Sequence, residues 1–212
     1  MINNKAHTKP EYRKEIGGLR AFAVILATIY NFNKDFLPSA YLGVDVFAVI
    51  SGYVITSSIS GRGADNLITF LNGFFFRRIK RLLPALIFFV GICSIITCLI
   101  NPEPQFALKT GAFSLVGLSN IYLAKELTDY FSTSSHLNPF IQTWSLGMEQ
   151  QFYFFFPVIA WMSGLVRLKF NSFRNLSLII STLSIFSLIG FIYLYQVDPT
   201  SAYYLMPSRF WE

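Results

Sequence analysis

Apolar residues run along this chain in long blocks separated by short polar breaks. The blocks are Leu19 to about Phe32, about Ala40 to Ile59, Leu82 to Ile100, Phe106 to Leu123, Trp144 to about Val166, and Leu176 to Tyr195. They lack the 3.6-residue alternation that leaves one face of a soluble helix polar. A helix needs about 20 mostly apolar residues to cross about 30 Å of hydrocarbon. The pattern therefore predicts an all-α, polytopic transmembrane bundle of about five or six helices. The first block is short for a span, which places Gly17, Gly18 and the turn near Asn33 close to the two interfaces. The fourth block is weaker than the others, and it fits a crossing course as well as one that is re-entrant or lies in the interface.

The polar breaks divide the chain further. Residues 1–18 form a basic lead-in with Lys5, Lys9, Arg13 and Lys14, and residues 19–212 form the transmembrane domain. No small-residue cleavage pattern follows the first block, so an uncleaved first span is expected. Residues 60–81 read as a polar loop ending in Arg77-Arg78-Ile79-Lys80-Arg81. Pro84 then falls in the first turn of the third helix, where a missing N–H does no harm. Asn101-Pro102-Glu103-Pro104 is a clear break, residues 125–141 are a polar loop carrying His136, and Pro207 to Glu212 reads as the start of a further helix.

Composition agrees with a membrane solvent. Hydrophobic residues make up 53% of the chain and charged ones 13%, against about 25% charged in a soluble domain. The net charge of +6 does not point to nucleic acid, because the basic residues flank apolar blocks and carry no recognition motif. Basic residues favour cytoplasmic loops. Five precede or open the first block, Lys34 alone lies in the first loop, and Arg62 with the 77–81 cluster puts five in the second. The N-terminus and the arginine cluster are therefore cytoplasmic and the first hinge is outside. Further on, Arg167, Lys169 and Arg174 fall outside if the fourth block spans and inside if it is re-entrant or lies in the interface. The totals are 12 inside to 5 outside or 13 to 4, which leaves both courses open.

Ionisable groups within a span cost about 2.5–3.5 kcal/mol each on insertion scales, which makes them functional candidates. Three stand out: Arg20, Asp45 and Glu149. Arg20 is also placed to snorkel to the cytoplasmic interface, and Asp45 to sit at the outer one. Glu149 is followed by Gln150 and Gln151, and three adjacent polar residues cannot all face one cavity. That segment therefore starts at an interface or packs against protein. The 77–81 cluster suits bidentate phosphate binding by Arg77, Arg78 and Arg81, and equally suits a topological anchor on anionic lipid. Cys93 and Cys98, five apart, lie on different helix faces and read as buried small hydrophobes, with no disulfide and no metal site.

Several runs resemble the motifs of the acyltransferase-3 family, the membrane-bound O-acyltransferases of bacterial surface glycans. They are Tyr12 to Ala21, with Gly17-Gly18-Leu19-Arg20; Leu42 to Tyr53, with Gly43-Val44-Asp45 and Ser51-Gly52-Tyr53; and Phe76 to Ala85, with the basic cluster. Two more are Asn138 to Tyr153, with Thr143-Trp144-Ser145-Leu146-Gly147-Met148-Glu149, and Tyr203 to Glu212. The resemblance covers essentially the whole chain. It implies a bundle of about ten helices in a bacterial inner membrane, passing an acyl group from cytoplasmic acyl-CoA to a hydroxyl of a glycan or lipid-linked saccharide. Acyl-CoA would be a donor substrate, with no bound cofactor. Carried over by position, Arg77, Arg78 and Arg81 hold the donor, and Arg20, Asp45 and Glu149 line the polar site.

This sequence departs from the family at three important positions. Gly17 stands where an Asp is usual, so Arg20 lacks its (i, i+3) carboxylate. Asn31 stands at the position of a first-helix histidine, and Gln142 at that of a second. Neither amide can take up a proton near neutral pH. Ala48 replaces a common phenylalanine. His136, six residues before Gln142, is a candidate displaced base or an ordinary solvated loop histidine. With five or six blocks against about ten, the chain is expected to hold about half of the family's helices. The alternative reading is thus a truncated, catalytically inactive relative with a scaffold role or none. A transporter reading lacks the duplicated halves common in that class.

Overall fold

A computed structural model describes residues 14–33, 36–60, 66–126, 138–167 and 169–211, with the backbone alone at 31, 32, 40 and 41. Among the described residues every regular element is a helix: α1 (Lys14–Phe32), α2 (Leu42–Ile59), α3 (Leu67–Ile100), α4 (Gln105–Leu115), α5 (Ser119–Glu126), α6 (Thr143–Met162), α7 (Ser172–Val197), α8 (Pro199–Tyr204) and α9 (Met206–Arg209). Helices α2, α3 and α7 are each long and apolar enough to cross a membrane. Their exposed side chains include Val49, Phe88, Leu99, Phe186 and Ile189. In hydrocarbon a helix satisfies its own backbone and can turn such residues outward. The chain is an all-α, multi-pass membrane protein, as the blocks predict.

The chain divides into two compact units, with the boundary after Arg62. In the first, α1 and α2 pack as a hairpin. Helix α1 begins at Lys14, ahead of the apolar block, with Glu15 in its first turn, where a carboxylate suits the positive end of the helix dipole. Gly43 of α2 lies against the backbone of α1: a Cβ there would come within 2.6 Å of the Ala23 carbonyl oxygen. Small residues at a crossing let membrane helices approach closely. Ala23, Ile55 and Ile59 are fully buried.

The second unit is built on α3, and here the structure corrects the expected loop over 60–81. The helix runs unbroken from Leu67 through the basic cluster to Ile100, so Pro84 lies deep in its interior. The physical reason lies in residues 67–76: eight of these ten are apolar or glycine, the exceptions being Thr69 and Asn72. Asn66 caps the start, its Oδ1 accepting the Ile68 N–H at 2.9 Å. Arginine and lysine are themselves good helix formers, so the basic cluster lies within the helix and does not mark its beginning. Cys93 is half-buried beside a core of Leu86, Val90, Ala107 and Phe140. Cys98 is exposed on the helix surface, against the buried position expected for it.

The fourth block does not make one span. It divides into α4 and α5, of 11 and 8 residues, about 16 and 12 Å long at 1.5 Å per residue. The break is a Schellman turn: Gly117 has φ +73°, its N–H donates to the Ser114 carbonyl, and the Leu118 N–H donates to that of Phe113. Only glycine takes this left-handed position at no steric cost. Helix α5 then folds back on α4, with Tyr122 stacked on Phe113 at 4.7 Å and near Phe106 at 6.1 Å between ring centroids. Two helices this short fit the re-entrant or interfacial course better than a crossing one.

Beyond α7 a helix starts at Met206 with Pro207 in its first turn, as expected, and another short helix precedes it. Residues 199–209 form two short helices, α8 and α9, laid back against α7. Asp198 caps α8, accepting the Ser201 N–H at 3.1 Å. The Ser201 hydroxyl and N–H together hold the Asp198 carboxyl below its ordinary value of 3.8. Ser187, in mid α7, donates to the Pro207 carbonyl at 2.7 Å and accepts the Trp211 N–H at 3.2 Å.

Candidate active site

The basic cluster on α3 and the carboxylate on α6 meet through a tyrosine. Helices α3 and α6 run antiparallel. Phe70 lies near Trp161, Phe75 near Phe154, and Phe89 near Phe140 just ahead of α6, with ring centroids 5.7, 5.3 and 5.9 Å apart. At the level of Phe75 and Phe154, the Arg78 guanidinium lies over the Tyr153 ring at 4.6 Å and the Phe74 ring at 5.5 Å. The Tyr153 hydroxyl donates to Glu149 Oε1, one turn earlier on α6. Tyr153 is 5% exposed, and Arg78 and Glu149 are half-buried. One buried phenol therefore joins a cation on its face to an anion at its hydroxyl.

The three arginines expected to hold a donor are not equivalent. Arg77 and Arg81 are exposed, whereas Arg78 is held between rings. At 100° per residue, positions 77 and 81 are about 40° apart around the helix and 78 is about 60° beyond 81. The three positions so fall within about 100° of arc on one stretch of α3. Arg77 folds back over Gly73, where a Cβ would lie 3.3 Å from its Nη1.

Arg20 and Asp45 lie in the first unit. Arg20, half-buried, stacks on the Phe47 ring of α2 at 4.9 Å, which gives the cation a partner where Gly17 offers no carboxylate. Asp45 is half-buried in the first turn of α2. Asn31 falls in the last turn of α1, with only its backbone described. Nearby, Ile25, Thr28, Ile29, Asn33 and Phe36 line an open groove of about 450 Å³. Gln142 is exposed at the N-terminus of α6, and His136 lies outside the described residues. No cluster of His, Cys, Asp and Glu able to hold a metal occurs among the described residues.

Beside this site lies a polar network that the sequence pattern does not single out. Asn120, fully buried on α5, donates to the Tyr204 carbonyl at 3.0 Å. Gln151 donates to Asn120 Oδ1 at 2.8 Å and to the Gly117 carbonyl at 3.1 Å. Ser119 donates to the Thr143 carbonyl at 2.7 Å, and Asn138 to Thr110 Oγ1 at 2.9 Å. Two of these acceptors, the Tyr204 and Gly117 carbonyls, lie at or just beyond helix C-termini, where backbone carbonyls lack intrahelical partners. Non-helical backbone at membrane depth persists only where protein or a wet cavity satisfies it. The segment Glu149-Gln150-Gln151 thus packs against protein, with Gln150 over Gly117. Arg209 of α9 closes the other side, 5.3 Å from the Trp144 ring and 5.1 Å from that of Tyr203. A signal for the network was present in Asn120 and Asn138, amides within or beside apolar blocks.

These motif-bearing segments match a known family. The acyltransferase domain pattern fits residues 7–209. The chain is 41% identical over 155 residues to a Staphylococcus aureus MSSA476 protein named "Putative O-acetyltransferase SAS0844", covering 72% of this chain and 25% of that protein. It is 38% identical over 151 residues to O-acetyltransferase OatA of Staphylococcus aureus NCTC 8325, covering 71% and 25%. The matched part spans about a quarter of the length of these relatives. No solved structure matches the chain. The chain belongs to the acyltransferase-3 family.

Proposed function

We propose that, as a member of this family, the chain works as the membrane part of an O-acyltransferase. It moves an acyl group, such as acetyl, from acyl-CoA to a hydroxyl of a cell-surface glycan. Its setting is the cytoplasmic membrane of a bacterium, with the N-terminus inside. The observation that carries the reading is the cluster of Arg77, Arg78 and Arg81 on one stretch of α3, with Arg78 stacked on Tyr153, whose hydroxyl donates to Glu149 on α6. Guanidiniums recognise phosphate oxygens in pairs, and acyl-CoA presents several. In the transfer, the acceptor oxygen attacks the thioester carbonyl, the C–O bond forms and the C–S bond breaks. The hydroxyl proton passes to a base and the coenzyme leaves as a thiol. Asn31 and Gln142 cannot serve as that base, so the carboxylates Glu149 and Asp45 are the acceptors this reading assigns.

Those two amides also favour a second reading, a relative that binds the donor without turning it over. Binding of acetyl-CoA to the purified chain in nanodiscs tests the first step. Saturable binding is expected, with a loss of about tenfold or more in an Arg77→Ala, Arg78→Ala variant, since charge-assisted hydrogen bonds contribute about 1.5–3 kcal/mol each. Binding indifferent to both arginines would reduce the cluster to a topological anchor. With binding secured, transfer to a glycan acceptor by the wild type supports the enzyme, and transfer gained only with Asn31→His and Gln142→His supports the inactive relative.

A further inference from the structure

We infer that the turn joining α6 to α7 is a docking surface for an anionic phospholipid. Lys169 and Arg174 take the headgroup phosphate, and Phe170 and Phe173 sit among the upper atoms of the acyl chains. The inference does not depend on the donor reading above. Three observations carry it.

First, the turn has a fixed shape. Leu165 and Val166 are fully buried, and Ser172 and Leu176 nearly so. The Arg167 and Lys169 N–H groups both donate to the Gly164 carbonyl at 3.2 Å, and the Ser172 N–H donates to that of Lys169 at 3.0 Å. The stem of Lys169 lies over Gly164, where a Cβ would come within 3.2 Å of it. Second, what this frame leaves outside is basic and aromatic. Arg167, Lys169, Phe170, Phe173 and Arg174 are all exposed, Phe170 at 92% and Phe173 at 62%. Arg167 is already engaged, stacked on the Trp161 ring at 4.5 Å, and adds charge to the patch and not a binding edge. The chain has no Asp or Glu between Glu149, early in α6, and Asp198, just past the end of α7. The stretch of α6 and α7 beside the turn therefore brings no carboxylate to its three cations. Third, the turn lies at a membrane boundary, because α7 is long and apolar enough to span and begins at Ser172. At that level an amphipathic surface divides, its rings entering the acyl layer and its cationic heads staying among the headgroups. Anionic headgroups supply the opposite charge that the neighbouring helix ends lack.

The test places the whole chain in nanodiscs of phosphatidylcholine with a minor share of phosphatidylglycerol. Native mass spectrometry then counts which lipid stays bound as the disc is stripped away. Wild type is expected to retain phosphatidylglycerol selectively. Lys169→Gln with Arg174→Gln is expected to lower that selectivity about fivefold for each charge removed, the factor for one cation near an anionic surface. Lys109→Gln with Lys125→Gln removes the same charge from exposed sites on α4 and α5 and is expected to leave it intact. Phe170→Ser with Phe173→Ser is expected to reduce retention of both lipids while the preference for phosphatidylglycerol stays. Equal losses in the two charge variants would mean that net charge alone attracts the lipid, and would overturn the inference. So would selectivity untouched by Lys169→Gln with Arg174→Gln, or retention unchanged without the two rings. Displacement of the retained lipid by inorganic phosphate at constant ionic strength would make the turn a soluble-anion site, which overturns it as well. If the double charge variant does not stay monodisperse, the single changes Lys169→Gln and Arg174→Gln replace it, each expected to lower selectivity about fivefold.

Discussion

At the scale of single residues, one missing methyl sets how closely α1 and α2 approach. A Cβ on Gly43 would stand 2.6 Å from the Ala23 carbonyl oxygen and 2.9 Å from the Ala27 nitrogen, both backbone atoms that cannot rotate away. Gly43→Ala is therefore expected to push the hairpin apart and cost about 1–3 kcal/mol, the range for overpacking a tight contact, and Gly43→Val more. Thermal unfolding of the detergent-solubilised chain reads this directly, and an unchanged midpoint for Gly43→Val would mean that the two helices do not cross there. The displaced hairpin would also take Phe47 from beneath Arg20, 4.9 Å away. The family motif names Arg20 and Asp45 from sequence. What the motif did not disclose is that Arg20, lacking a carboxylate at position 17, is held by an aromatic face instead.

At the scale of elements, α4, α5, α6 and α8 end close to one another, and buried amides satisfy the carbonyls those ends expose. Gln151 serves Gly117, Asn120 serves Tyr204, and the two amides bond to each other. Removing either leaves buried groups unpaired, at about 1–3 kcal/mol. Asn120→Ala and Gln151→Ala are each expected to lower thermal stability by that order. The double variant is expected to fall short of the sum, because the shared bond is lost only once. Strict additivity would show that the amides act separately. These elements also show what the sequence discloses and what it conceals. Six apolar blocks give the helical class and most segments, since hydrophobic length alone decides a span. Block length says nothing of a reversal inside it, however, and the turn at Gly117 depends on one residue's φ and two hydrogen bonds. The start of α3 was hidden for the opposite reason: the charge of Arg77 to Arg81 suggested a loop, while the apolar run before it and the Asn66 cap carried the helix on. The site was legible as a list of residues but not as an arrangement. That Arg78 and Glu149 share Tyr153 depends on the register of α3 against α6, which no local pattern fixes.

For the second unit as a whole, the same register bears on a question that charge counting left open. Trp161 lies at the level of Phe70, seven residues before Arg77 on α3. Leu82 to Ile100 of α3 covers about 28 Å, enough for the hydrocarbon. The end of α3 that bears the arginine cluster is thus expected on one side of the membrane, and Ile100 on the other. Trp161 leads within a few residues to Arg167, which stacks on its ring at 4.5 Å. Arg167, Lys169 and Arg174 are therefore expected on the side of Arg77 to Arg81, which requires that the α4–α5 hairpin return without crossing. Basic residues gather on the cytoplasmic side, so both groups are expected inside. Single cysteines at Arg81, Lys169 and Glu103, in a chain with Cys93 and Cys98 replaced by serine, test this with a membrane-impermeant maleimide on intact cells. Glu103→Cys, just beyond α3, is expected to label from outside, whereas Arg81→Cys and Lys169→Cys label only after the membrane is opened. Outside labelling of Lys169→Cys with Arg81→Cys protected would mean that the segment from 105 to 126 crosses after all, and that the antiparallel register of α3 and α6 is wrong. The pairing of Arg78 with Tyr153 depends on that register, so this labelling pattern bears on the proposed donor site as directly as any binding measurement.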